Sequence, residues 1–221
     1  MHDHPLPFRL QHLQAALTQP HLSAQHRALL TQSIKRLTRA RKGAKYPNFY
    51  PLTPLIHLAF DPSSDRLDSG NRLLLKLRLT TMMRSADCGA IIWGVYQLND
   101  DWYIQTTTKT GHLQAYTVQG STLDDLLNYL YDHRQHPAIH LFRYQKVPGA
   151  CLTPQRLAKR MLGVLQLAGI DTAVYKAHSL RGATATHLLK TGTPPTWVRT
   201  RGGWTSSATL DLYYSRTGRA S

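Results

Sequence analysis

The chain contains no glutamate. Its 12 acidic residues are all aspartate, and none falls between Asp3 and Asp61. Nucleases and transposases that depend on metal hold Mg²⁺ with clustered carboxylates, and aspartates this scattered make such a cluster hard to build. Cysteine is nearly absent as well. Cys88 and Cys151 supply neither a disulfide framework nor a zinc set, and so small a number suits a reducing compartment. No stretch reaches the ~18 apolar residues of a membrane-spanning helix. The opening "MHDHPLPFRLQHLQ" has no apolar run of the signal-peptide kind, and His2 and His4 read as part of a solvated terminus. No G-x-x-x-x-G-K-[ST] loop marks an ATPase. These absences lead to the expectation of an intracellular chain with no cofactor, no metal, no membrane partner and no small-molecule substrate.

Positive charge, by contrast, is abundant. Lys and Arg number 27 against the 12 acids, a formal net charge of +15 on 221 residues. The acid-free stretch holds Arg9, Arg27, Lys35, Arg36, Arg39, Arg41, Lys42 and Lys45. Such a field favours a polyanion, and nucleic acid above all. A hydrophobic fraction of 42% is enough for a core, and the length fits one large domain or one domain with a small appendage.

Periodicity and punctuation predict a mostly helical chain with one small antiparallel sheet, an α+β class. Residues 22–42 read as a helix. Ser23 caps it, Gly43 ends it, Leu30, Ile34 and Leu37 share one face, and the other face is basic. "GAKYPNFYPLTP" reads as a linker, and Thr53-Pro54 as a cap with proline at the first helical position. Residues 70–83, "GNRLLLKLRLTTMM", predict a buried helix leading to Arg84. "WYIQTTTKTGHLQAYTV" is β-branched and aromatic and predicts a hairpin whose turn carries Lys109 and Gly111. Helices are expected again at 121–135, with Asp124 and Asp125 in the first turn, and at 153–168, 178–191, 194–201 and 206–215. A poorer one is expected at 8–18.

Several polar residues stand out, and each has an ordinary reading. Arg84 follows an apolar helix as a capping residue would, and Asp87 three residues on is placed to pair with it. Lys109 sits where turn lysines are usually just solvated. His178 and Arg181, in "AHSLRGATATHLLKTG", are three apart and share one face of a helix. Tyr213 and Tyr214 are aromatic residues of the kind that pack a last helix. The order is less ordinary: an arginine with an acid three residues later, a hairpin lysine, H-x-x-R, G-G-W, then a tyrosine nine residues past Trp204.

That ordered set, from about residue 50 to 216, resembles the tyrosine recombinase or phage integrase family. "RSAD" matches the family's R-x-x-E/D segment with Arg84 and Asp87. "TTTKTG" supplies the hairpin lysine, Lys109. "HSLRGATATHLL" matches the H-x-x-R box with His178 and Arg181, "GGW" places Trp204, and the tyrosine nine residues on is Tyr213. The resemblance implies a catalytic domain over 49–221 and site-specific DNA strand exchange (integration, excision or recombination). The step implied is attack by Tyr213 on a DNA phosphodiester to give a 3′-phosphotyrosyl link, with neither ATP nor metal. It implies double-stranded DNA as partner, with self-association into dimers or tetramers on it. Trp204 in place of the commoner histidine is a variant the family accepts.

Elementary chemistry fits those roles. Attack by a side-chain oxygen gathers negative charge on the phosphorus oxygens, which two arginines from distant segments, Arg84 and Arg181, can clamp. The Trp204 indole N–H is a further donor. A tyrosine titrates near pH 10 in water, and surrounding cations favour its phenolate. His178 is placed to act as base or phosphate ligand, and Lys109 to protonate the leaving 5′-oxygen. Adjacent residues on a helix point about 100° apart, so both tyrosines cannot face one phosphate. The spacing selects Tyr213 and leaves Tyr214 to packing.

Members of the family carry an N-terminal helical clamp over DNA and a C-terminal tail that docks into a neighbour. Only 48 residues precede the catalytic region here, so residues 1–48 are expected to be a basic helical segment, a reduced or truncated core-binding region. Within it Arg36, Arg39, Arg41 and Lys42 are expected to contact DNA phosphates. These ends motivate an alternative: a DNA-binding module of the same fold without recombinase activity.

Overall fold

The structure is a computed structural model that describes residues 13–41, 52–108, 111–134, 140–142, 152–204, 207 and 210, with only the backbone described for 35–41. The chain divides into two units, Met1–Pro47 and Asn48–Ser221. In the first, a helical turn at 13–17 precedes α1, Ala24–Arg41. Ser23 caps α1 as expected: its Oγ accepts the His26 amide N–H at 3.2 Å. Leu30 and Ile34 on the anticipated apolar face are half-buried, and Leu29 beside them is exposed.

The second unit is organised around α3. Its helices are α2 (Thr53–Phe60), α3 (Ser69–Thr81), α4 (Ser85–Gly89), α5 (Gly120–Asp132), α6 (Pro154–Leu167), α7 (Ser179–Lys190) and α8 (Pro195–Arg201). A three-stranded sheet, β1 (Tyr96–Leu98), β2 (Asp101–Thr107) and β3 (Leu113–Val118), lies between α4 and α5 in the sequence. Every residue from Leu73 to Leu79 is buried, because leucines on every side of the helix leave it no face to give to water. α2, α5, α6 and α7 pack around it, and β3 lies against it. Asp68 caps α3 by accepting the Asn71 N–H at 2.8 Å. The helix stops at Thr81, two residues sooner than the apolar pattern suggests, because Met82 takes a left-handed conformation with φ 56°.

The sheet is antiparallel in the order β1-β2-β3. Period-2 alternation sends Ile104 and Thr106 of β2 and Tyr116 and Val118 of β3 into the core, with Ile104 directly opposite Tyr116. The β2–β3 hairpin closes where the sequence places it. The Thr108 N–H donates to His112 O at 2.8 Å, and Gly111 adopts φ +82° at the tip. Two elements were not anticipated. β1 is three residues long and turns into β2 through Asn99-Asp100, both at positive φ (49° and 67°), the residue types that tolerate a tight hairpin turn of this hand. The single-turn helix α4 is too short to show a period.

Three expected helix starts can be checked against the caps. Thr153 caps α6, accepting the Arg156 N–H at 3.3 Å. Thr53 is not a cap: α2 begins at Thr53 itself, after Leu52, with no side-chain cap bond. α5 begins at Gly120, one residue sooner than expected, so no acid lies in its first turn. Asp124 and Asp125 therefore do not serve its dipole. Asp125 instead pairs with buried Lys76 of α3 at 2.8 Å, and the same ammonium donates to Ser121 O at 3.0 Å and Oγ at 3.2 Å. For the helix expected at 206–215, residues 207 and 210 are helical and the others lie outside the described residues.

Replacing Asp125 by Asn strands a buried ammonium. Asp125 keeps 27% of its side chain exposed and Ser121 retains its contacts, so the cost falls at about 2–3 kcal/mol, near the low end for breaking a buried pair. A lowered urea midpoint checks it. Lys76→Met combined with Asp125→Leu should recover most of the loss.

Candidate active site

The site forms where the end of α3, the start of α4, the start of α7 and the turn after α8 meet. Arg84 stands as the N-cap of α4, in extended backbone that ends the run through Met82 and Met83. Its side chain is 54% exposed. Asp87 is buried at 2%. Its Oδ2 accepts the Arg84 backbone N–H at 3.1 Å and sits 3.7 Å from the Arg84 guanidinium. One aspartate thus caps the short helix and steadies the arginine. The side-chain attraction is partly screened by water, so the backbone bond is the firmer tie.

Arg181 differs in its surroundings. It is 8% exposed on the first turn of α7. Its Nη1 donates to Met82 O at 2.9 Å, its Nη2 donates to Gly202 O, and its guanidinium lies over the Trp204 ring, 4.2 Å from the centroid. Two acceptors and a ring fix a planar cation in orientation as well as position. Met82 O is two residues before Arg84, so Arg181 holds the backbone that leads to the other arginine.

His178 is the N-cap of α7 and exposed, with helical dihedrals. It stands at the solvent side of the helix start, while Arg181 one turn on is buried. The G-G-W turn is held by main-chain bonds from Gly202, Gly203 and Trp204 to Val198, Thr200 and Arg199 (2.9, 3.0 and 3.0 Å). Gly203 needs its positive φ of 63°. Gly202 is required for a steric reason: a Cβ there would lie 2.0 Å from Cζ3 of Trp204.

Beneath the arginines lies Tyr116 of β3. Burial, and next Asp87, push its hydroxyl up to about 12, while Arg181 and Arg84 act the other way. It stays a neutral phenol through the physiological range. Arg201, at the end of α8, reaches under the site: its Nη2 donates to Thr117 O at 2.6 Å, fastening the turn to the hairpin strand. Burial lowers its affinity for a proton, and Tyr116 offsets part of that. Cys88 of α4 is fully buried, with its thiol pushed up to about 12 by desolvation, so it is no nucleophile.

Of the expected site residues, Arg84, Asp87, His178, Arg181 and Trp204 come together here. Lys109, Tyr213, Tyr214 and Lys42 lie outside the described residues, as do the side chains of Arg36, Arg39 and Arg41. A second apolar cluster joins Met82, Ala185, Leu189, Val198 and Leu210, with Trp204 packed against it. Leu210 is buried at 3% and stands three residues before Tyr213. Sequence reasoning missed Met82, Tyr116, Gly202, Arg201 and Leu210. The doubled glycine and the three-residue step from Leu210 to Tyr213 were the available signals, and Met82 offered none.

The sequence model of the phage integrase family matches residues 57–218, and the chain belongs to that family. No curated protein matches it. Among solved structures, XerH site-specific recombinase bound to difH substrate in a pre-cleavage complex is similar at TM-score 0.62 and 21% identity, over 95% of this chain and 66% of that one. XerA recombinase is similar at 0.63 and 15%, over 96% and 79%. A lambda integrase dimer bound to a COC′ core site is similar at 0.54 and 15%, over 97% and 72%. At these identities the likeness is one of fold, that of the tyrosine recombinase catalytic domain. The chain spans just under two thirds of the XerH chains, at 66% and 65%. Among the described residues no helix is long and apolar enough to cross a membrane.

Gly202→Ala should force the Trp204 ring off Arg181 and destabilise the fold by about 1–3 kcal/mol, the cost of overpacking. Near-ultraviolet circular dichroism and the denaturant midpoint read both effects. Gly203→Ala meets no such contact and should cost about 1 kcal/mol through its backbone alone, with the indole environment unchanged.

Proposed function

We propose that this chain breaks and rejoins double-stranded DNA, with Tyr213 as nucleophile. The observation that carries the reading is the convergence of Arg84 with Arg181 and Trp204, which lie about 100 residues further along the chain, over a cluster that also buries Leu210. That burial brings the chain to the site three residues before Tyr213. Family membership and the net charge of +15 favour the same partner.

The Tyr213 oxygen attacks phosphorus as its proton passes to His178 or water. The P–O5′ bond breaks, and the leaving 5′-oxygen takes a proton from Lys109. The 3′-phosphotyrosyl ester keeps the energy of the phosphodiester, so the reverse attack by a 5′-hydroxyl reseals the strand without ATP or metal. Arg84 and Arg181 carry the developing charge on the non-bridging oxygens, Arg181 being preset in orientation before DNA arrives. The Trp204 N–H adds a donor, and Asp87 steadies Arg84. The functional unit would be a catalytic domain over 49–221 with a basic helical segment over 1–48, assembling as dimers or tetramers on DNA.

Nicked duplexes drawn from the DNA flanking the coding sequence test this directly. The wild-type chain should give a covalent protein–DNA band that survives denaturant and is lost in Tyr213→Phe. Salt-dependent duplex binding with no band under any condition would instead identify a DNA-binding module of the same fold. A Tyr214→Phe variant should keep the band.

α1 is proposed to track phosphates. Replacing Arg36, Arg39, Arg41 and Lys42 together by alanine should weaken duplex binding across sequences alike. It should also reduce the slope of log K against log salt by about 0.9 for each phosphate no longer neutralised. An unaltered slope removes this helix from the interface.

A further inference from the structure

α3 is built of leucine where it is buried, yet Arg78 sits among Leu73, Leu74, Leu75, Leu77 and Leu79 at 2% exposure. A guanidinium in such a place is costly unless its donors are met, and a leucine would fill the position at less cost. Its two terminal nitrogens reach two particular places. Nη2 donates to Ala177 O at 2.8 Å, the carbonyl immediately before His178. Nη1 meets Ser85 Oγ at 3.4 Å, the residue immediately after Arg84. Ala177 is itself buried at 5%, so the bond is shielded from water and stronger for it.

We infer that Arg78 is a positioning residue, a rigid internal tie that sets the spacing between the segment bearing Arg84 and the segment bearing His178 and Arg181. It never touches the phosphate. It acts on the two segments that do, through Ala177 O and Ser85 Oγ. Two guanidinium ties thus lace the end of α3 to the start of α7. One runs from α3 to α7 and the other from α7 back to α3, and each spans 99 residues of sequence. Only a planar fork can reach both of Arg78's acceptors at once. Lysine offers a single charged point and can serve one of them. The inference rests on the phosphate-clamp reading of Arg84 and Arg181 given above, but its geometric part stands without it.

The full chain is compared with Arg78→Lys, Arg78→Met and the control Lys76→Met, which removes another buried cation of α3 that touches neither segment. Amide hydrogen exchange is read at 84–88 and 176–181, and covalent adduct formation and duplex affinity on the nicked duplexes used above. In Arg78→Met, exchange should quicken at both segments together. Adduct formation should fall about 100-fold, the cost of a reacting group misplaced by about 1 Å, with duplex affinity within about threefold of wild type. Arg78→Lys should fall between and decides the matter if the methionine variant does not fold. Lys76→Met should lose stability without the paired exchange response. Wild-type exchange at both segments in a folded Arg78 variant overturns the inference, as does an unchanged adduct rate. Absence of any adduct from the wild-type chain would instead overturn the strand-exchange reading, and the exchange data alone would then judge Arg78.

Discussion

The guanidinium of Arg181 is the point at which three stretches of sequence become one structure. Its two donated bonds take the carbonyls of Met82 and Gly202, and its face takes the indole of Trp204. The end of α3, the first turn of α7 and the turn after α8 have no period or strand pairing in common. The arginine supplies what links them. Each neighbour is shaped to receive it. Met82 takes a left-handed backbone, unusual for a bulky side chain, and the carbonyl it presents there is the one that Arg181 holds. Gly202 gives up any side chain so that the indole can lie close. The apolar cluster of Met82, Val198, Leu189 and Leu210 fills the space below.

α3 gives this arrangement a fixed base. Its all-round burial makes it a firm support, because core packing at near-crystalline density transmits displacement rather than absorbing it. The two cations on it act in different directions. Lys76 is answered by Asp125 and Ser121 of α5 and secures the helix to an element outside the site. Arg78 is answered at Ala177 and Ser85, on the side toward it. The sheet enters from below through Tyr116 and Thr117, and Arg201 fastens it there. The β2–β3 hairpin is therefore anchored at its base.

Much of the fold was legible because helices announce their ends chemically. Ser23 and Thr153 cap the helices they were expected to cap, and the alternation around "TTTKTG" marks its hairpin. The misreadings have local causes. A start shifted by one residue moved Asp124 and Asp125 out of the first turn of α5, which turned a supposed dipole partner into the counter-ion of a buried lysine. α4 and β1 are shorter than any window in which a period can be recognised. The arginines could be picked out by their motifs, but what holds them could not. The bonds from Arg181 to Met82 and from Arg78 to Ala177 join residues a hundred positions apart, and nothing in either local sequence points to the other. "GNRLLLKLRLTTMM" reads as a buried helix with two awkward charges, and only the packed chain shows what each is for.

Arg84 and Arg181 would share one duty toward a phosphate, yet they are not equivalent to a geneticist. Arg84 reaches into solvent, and its loss leaves behind a capped helix whose aspartate still holds the backbone N–H. Arg181 is structural timber as well as a proposed phosphate ligand. Without it the Met82 backbone keeps a left-handed twist costing roughly 1–2 kcal/mol, with two buried carbonyls unanswered. An inactive allele at position 84 therefore speaks about chemistry. One at 181 speaks about chemistry and folding at once, and the two can be separated only when the amount of folded protein is measured alongside the activity.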